Sequence, residues 1–412
     1  MKTIAILGGG AAGIAAAIAA AQQPGPHRRV ILLERNSRVG KKLLATGNGR
    51  CNLSNTAIGP EGYFSSHPKA MAKLLQAVQA ADPLGWLEDH GLVHRADEAG
   101  RIYPYSNQAA DLLNLLLFWL EETGVEVRTD CAVAGLSQTG RGWNIALADG
   151  GSLAADAVIC ALGGSAGPQF GTEGFGTDLA AELGLQVLPL YPCLVPLRCR
   201  KSEVSGLSGI RVKAEATLFD GDRPLRTEPG EIQFTDYGLS GIAVMQLSCL
   251  LSPAGGIRRP RLELDLFPHL SEKELLTLLH RHSRALPGAN AAAFMTGLCN
   301  RKVGLAVWKA QHLGEEKQPV AALGREGWQA LAHGLKHWQF TQLEHNGWKN
   351  AQTTGGGLSL ACLEWDSFAL RGCSGLYFVG ETVDCAGSCG GFNLHWAFGS
   401  GILAGQKAAA SL

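Results

Sequence analysis

The opening 34 residues constrain this chain most. "TIAIL", Thr3 to Leu7, reads as a short buried strand, and Gly8-Gly9-Gly10-Ala11-Ala12-Gly13 turns from it into an alanine-rich helix ending near Pro24-Gly25-Pro26. "RVILLER" then supplies a second apolar strand, Val30 to Leu33, that ends in Glu34. Strand, tight turn, helix and strand make the first half-unit of a doubly wound parallel sheet. Gly8 permits the turn, Gly10 lets a pyrophosphate reach the backbone, and Gly13 lets helix and strand pack closely, while Ala11 and Ala12 present helix N-terminal N–H groups to the anion. An acid about 20 residues further on is placed to accept hydrogen bonds from ribose hydroxyls. A glycine turn that merely packs leaves the acid at the end of an apolar strand unexplained. The pattern therefore predicts a bound dinucleotide, without separating FAD from NAD(P).

The chain has 412 residues, 46% of them hydrophobic, enough for two or three domains. Lys plus Arg and Asp plus Glu both total 36, so no global field draws the protein to nucleic acid or to an anionic membrane. Eleven cysteines are too sparse for a disulfide scaffold and form no paired C-x2-C spacing, which reads as reduced thiols in a cytoplasmic protein. Glycines interrupt the N-terminal apolar run where a signal peptide needs continuity. The run Leu112 to Leu120 contains Asn114 and is far shorter than the roughly 18 residues of a membrane span.

Two later segments bear on which dinucleotide binds. After an amphipathic helix over Leu112–Glu122, the stretch from Val125 to Gly164 reads as a strand, a three-stranded meander turning near Gly140 and Asp149-Gly150-Gly151, and a buried strand Ala157–Ala161. An antiparallel insert of this kind suits flavoprotein Rossmann domains. Near the C-terminus, a strand Leu376–Val379 leads through Glu381 and Asp384 to Gly390-Gly391, which opens a long helix. A second helix N-terminus suits a ligand such as FAD, whose ring carries negative charge at N1 and C2=O when reduced.

The runs "GKKLLATGNGRCNLSN", "GEIQFTDYGLSG", "QTTGGG" and "GLYFVGETVDCAGSCGGFNLHWAFGSGILAG" resemble the bacterial BaiN/YhiN-type FAD/NAD(P)-dependent oxidoreductases from Met1 to about Ala409. The resemblance implies an α/β fold: a Rossmann-type FAD-binding domain of glutathione-reductase-like form, residues 1–189 and 352–412, with its antiparallel β meander. It is interrupted by a β-rich, barrel-like domain, residues 190–270 and 335–351, carrying a small helical subdomain, 271–334, that closes over the flavin. It also implies that Thr46, Gly47, Asn48, Gly49, Arg50, Cys51 and Asn52 wrap the flavin end of FAD. Asparagine amides match the donors and acceptors of the ring, and glycines clear space for it. Lys41 and Lys42 either neutralise the pyrophosphate or are simply solvated. Arg35, Val133, Ala161, Gly163, Gly380, Glu381, Asp384, Gly390, Gly391, Phe392, Asn393 and Leu394 complete the expected cofactor-binding set. Ala386 replaces an acid of the family pattern, and Asp236 stands where many relatives carry histidine.

No catalytic residue is identified outright. Cys389, just before a helix N-terminus, and His395, in the first turns of that helix, are the candidates. No second nucleotide fingerprint follows Gly13, so NAD(P)H, if it is the donor, binds transiently near the insert. No metal is expected, because His280 and His282 are two apart on a helix and point in different directions. The basic residues Arg198, Arg200, Lys201, Arg211, Lys213, Arg258, Arg259 and Arg261 read as a solvated face. The expectation is an FAD enzyme acting on a small organic substrate by hydride transfer. An oxidase passing electrons to O2, and a flavoprotein that binds or modifies RNA, remain alternatives.

Overall fold

The computed structural model describes residues 1–25, 27–140 and 142–412. The chain forms two compact units, one of 1–193, 252–254 and 348–412, the other of 194–251 and 255–347.

In the first unit the apolar strand Lys2–Leu7 pairs in parallel with Arg28–Leu33 on one side and Ala157–Cys160 on the other. Glu126–Arg128 and Leu376–Phe378 complete the sheet, which has five parallel strands among the described residues. The C-terminal strand Leu376–Phe378 thus joins a sheet begun by the N-terminus. The helix Ala11–Gln22 is buried on nearly every side, which its alanines permit. Pro26, expected just beyond it, lies outside the described residues.

The last helix, Phe392–Ala410, packs against it. A Cβ on Gly401 would overlap the carbonyl oxygen of Ala12, and one on Gly405 that of Ala16. These glycines let two backbones meet that side chains would hold apart. The strands Val133–Thr139, Gly142–Leu147 and Ser152–Ala155 form the antiparallel meander. Val187–Cys193 pairs antiparallel with Thr353–Leu358, which carries this unit past the Pro189 boundary expected from the sequence.

The second unit holds an antiparallel sheet, seven strands among the described residues, whose core includes Phe234, Trp338 and Phe340. The hairpin of Arg211–Asp220 and Arg223–Phe234 turns where Asp220-Gly221 predicts. Ser271 and Glu274 form a reciprocal capping box at the start of the helix Glu272–Ala285. Three further helices, Ala291–Thr296, Arg301–Ala310 and Arg325–Lys336, pack around Phe294, Trp308 and Trp328. Among the described residues no helix is long and apolar enough to cross a membrane.

Candidate FAD site

Where the first strand ends and the first helix begins, a cavity of about 380 Å3 opens in the first unit. Gly8, Gly9, Gly10, Ala11 and Ala12 form one wall. No side chain caps the helix start at Gly10, so its N-terminal N–H groups are left for a ligand. A Cβ built on Gly10 would meet nothing within 4 Å. That empty space beside an uncapped helix is what a pyrophosphate requires.

Glu34 closes the next corner. It is 8% exposed, and its Oε2 accepts from Gly9 N at 2.8 Å. Its Oε1 accepts from Asn36 N and Nδ2 at 2.8 and 2.7 Å. The glycine turn and the acid are therefore one rigid assembly. Lys41 Nζ reaches Asn36 Oδ1 at 3.2 Å, and Arg35 pairs with Glu173 at 2.8 Å.

Further along the cavity Lys42 Nζ donates to Glu381 Oε2 at 2.7 Å, while Glu381 Oε1 accepts from Thr354 N at 2.8 Å. Asn393 and Leu394, at the start of the last helix, line the same cavity. The Asn393 amide is clamped to Gly387, its Nδ2 donating to the carbonyl and its Oδ1 accepting from the N–H, both at 2.8 Å. Trp396 Nε1 donates to Gly380 O at 3.1 Å, fixing the strand end to the helix.

Of the residues expected from the sequence, Gly8, Gly10, Ala11, Ala12, Glu34, Arg35, Lys41, Lys42, Thr46, Val133, Ala161, Gly163, Gly380, Glu381, Asn393 and Leu394 line this cavity. Gly13 supports it from behind, because a side chain there would overlap Gly8 O. The structure does not place Gly47, Asn48, Gly49, Arg50, Cys51 and Asn52 in the lining. In its hydrogen-bonded orientation the Asn52 amide donates to Ser54 O and Ile102 O and accepts from Gly391 N at 3.2 Å. Asn55 Nδ2 donates to Gly390 O at 2.9 Å, and Ser54 Oγ bonds His395 Nδ1 at 2.9 Å. The loop thus holds the start of the last helix. Cys51 is wholly buried, with its thiol pushed up to about 12 by desolvation, and Arg50 lies over the Tyr103 ring.

Gly390, Gly391 and Phe392 likewise stay behind the wall. Gly391 has φ +104° and sits against the Ser54 carbonyl, while Phe392 packs edge-on to Tyr63. Asp384 accepts from Ser66 N and Ser65 Oγ, and burial raises its carboxyl. Neither Cys389 nor His395 lines the cavity. Burial lowers His395 to about 4, so the ring is neutral. Cys385 does line the cavity, but burial holds its thiol well above the usual range, in the protonated form.

Sequence reasoning missed Gly9, Asn36, Cys131, the segment Phe170 to Glu173, Gln352, Thr353 and Trp396. Asn36 was open to detection, since an amide two residues beyond the ribose acid is placed to orient it. Gly9 lies within the glycine turn itself, and the others arrive through long-range folding. An uncapped helix start and an anchored acid at one end, with a lysine–glutamate pair beside the first turn of the last helix at the other, fit FAD: Glu34 would hold the ribose, Gly10 to Ala12 the pyrophosphate, and the region of Lys42, Glu381 and Asn393 the flavin half.

Residues 2–407 match the family described as HI0933-like protein Rossmann domain. The chain is 35% identical over 412 residues to the 3-dehydro-bile acid delta(4,6)-reductase of Clostridium scindens, covering 99% of each chain. It is 28% identical over 405 residues to the ribosomal RNA dihydrouridine synthase of Escherichia coli, covering 97% of this chain and 96% of that one. The solved 3-ketosteroid delta1-dehydrogenase of Sterolibacterium denitrificans shares the fold along the whole of both chains, with TM-score 0.51 and 11% identity. With a Rossmann-type FAD-binding domain and these relatives, the protein is an FAD-dependent oxidoreductase. It belongs to the HI0933-like Rossmann-domain family.

Proposed function

We propose that the enzyme saturates a carbon–carbon double bond conjugated to a carbonyl in a small organic molecule, with NAD(P)H as the hydride donor. The observation that carries this reading is a chemistry shared by two relatives along nearly the whole chain. A 3-dehydro, delta(4,6) substrate places C=C next to C=O, and dihydrouridine is uridine with its C5=C6 bond, conjugated to C4=O, reduced. The greater identity to the small-molecule reductase favours a free organic substrate over RNA.

Bound FAD supplies two-electron, hydride-carrying chemistry. The chain's own residues hold and polarise it. Glu34, anchored by Gly9 and Asn36, accepts from the adenosine ribose, and the uncapped first helix receives the pyrophosphate. The start of the last helix, where Asn393 and Leu394 line the cavity, brings helix-dipole potential to the other end, beside a Lys42 that is paired with Glu381, and so favours the negatively charged reduced ring. Neutral His395 and protonated Cys385 do not compete with that charge.

Anaerobic stopped-flow absorbance tests the reading. The FAD-loaded enzyme should bleach with NADH or NADPH and recover its colour on mixing with a 3-oxo-delta(4) steroid or a simple cyclic enone. Recovery with ribosomal RNA but no enone would replace the substrate class with uridine. Recovery only with O2 would make the protein an oxidase.

A further inference from the structure

In the second unit, Glu272 at the start of the helix Glu272–Ala285 faces His333, in the last turn of the helix Arg325–Lys336, and His337, the residue that caps its end. His333 Nδ1 lies 3.6 Å and His337 Nε2 3.8 Å from the same oxygen, Glu272 Oε2. Both separations are too long for hydrogen bonds. The three atoms all lie within 4.8 Å of one another.

The other side of His337 explains the spacing. Its Nδ1 is 2.7 Å from Glu263 Oε1, and the second oxygen of Glu263 accepts from Arg261 Nη1 at 2.9 Å. Glu263 is therefore an acceptor, so His337 carries a proton on Nδ1 and, when neutral, turns the Nε2 lone pair toward Glu272. A lone pair and a carboxylate oxygen facing each other can share a cation between them. The neighbouring ammonium, Lys336 Nζ, is already spent on Asp265 and on the carbonyls of Phe267 and Leu270.

From this geometry we infer that Glu272 Oε2, His333 Nδ1 and His337 Nε2 form a binding site for a divalent transition-metal ion of the zinc type. Bonds of roughly 2.0–2.1 Å in tetrahedral array hold ligand atoms roughly 3.4 Å apart, so side-chain adjustment must close the observed 3.6 and 3.8 Å and a histidine–histidine separation within 4.8 Å. Two imidazoles and one carboxylate suit zinc, nickel or copper better than magnesium or calcium. The Glu263 contact does what a carboxylate behind a metal-bound histidine does, fixing the tautomer and the ring plane. Side-chain exposures of 55, 47 and 37% for His333, Glu272 and His337 leave the remaining coordination position to water. The ion would clip one helix start to the end of another. The sequence shows the one-turn histidine pair, but not that a glutamate from a different helix completes it.

The test uses the full-length, FAD-loaded protein stripped with a chelator, then titrated with Zn2+ by calorimetry and with Co2+ by visible absorbance. One equivalent should bind, with ligand-field bands and no thiolate charge-transfer band. His333→Ala and His337→Ala should each weaken binding at least tenfold, and Glu263→Gln by about 10- to 100-fold. Flavin content and circular dichroism should match the parent in all three variants. Zn2+ should raise Tm in the parent and not in the alanine variants. No binding, a thiolate band that places the ion on cysteines, or unchanged affinity in both alanine variants would overturn the inference.

Discussion

Lys42 Nζ and Glu381 Oε2 meet at 2.7 Å, joining the loop after the second strand to the loop after the last one. The pair is about three-quarters buried, and the other oxygen of Glu381 accepts from Thr354 N. Glu381→Ala leaves two donors without their partner, whereas Lys42→Ala removes one donor. In urea denaturation of the FAD-loaded protein, Glu381→Ala should therefore cost more stability than Lys42→Ala. The double variant should reveal a coupling of about 0.5–3 kcal/mol. Strictly additive losses would mean the pair is not held in solution.

Glu34→Ala should weaken FAD by about 1–3 kcal/mol, the scale of losing hydrogen bonds to a buried charged acceptor. If Glu34 holds the adenosine ribose, as proposed, the absorption spectrum of the remaining bound flavin should not change. Flavin fluorescence titration measures both. Unchanged affinity would mean that the ribose is held by other groups.

Gly401→Val forces a side chain into the carbonyl of Ala12 and so pushes the first helix away from the last. Stability should fall by about 1–3 kcal/mol or more, and FAD content with it, because the displaced helix carries the cavity wall. Thermal melting with flavin release reports both losses. A variant of parental Tm would show that the two helices are not in backbone contact.

His395 is neutral in the folded protein, and its protonation falls to about 4 because of burial. In the unfolded chain it binds a proton near pH 6.5. The unfolded state therefore holds more protons between these values, and stability falls as pH drops through that window, with a slope of at most about 1.4 kcal/mol per pH unit from this residue. His395→Asn, which keeps a polar partner for Ser54, should flatten that part of the pH–Tm curve. An unchanged curve would assign the acid sensitivity to other groups.

The first half of the site is legible in the sequence because it is local. Gly8, Gly10 and Glu34 belong to one strand–helix–strand unit, where spacing alone implies geometry. The segment from Thr46 to Asn52 shows where that stops. Its composition marks it as more than a linker, yet only Thr46 reaches the cavity. Asn52, Ser54 and Asn55 instead bond Gly391, His395 and Gly390, more than three hundred residues away. A polar side chain that steadies a helix start and one that touches a ligand look the same in sequence, since each needs only a donor and an acceptor on a turn. Glu272 was hidden for a similar reason: it meets His333 and His337 only once two helices have packed.

The turn at Gly10 leaves space beside an uncapped helix start, and Gly10→Ala tests most directly whether a ligand's pyrophosphate fills it. With φ −83° and no atom within 4 Å of the added methyl, alanine fits the flavin-free fold. Stripped of flavin, the variant should lose less than about 1 kcal/mol, the scale of exchanging a glycine for alanine at a helix N-cap. Its dissociation constant for FAD, measured by fluorescence titration, should rise about tenfold or more, since the methyl fills the space the phosphates need. Parental affinity for FAD in a stably folded Gly10→Ala protein would contradict the account.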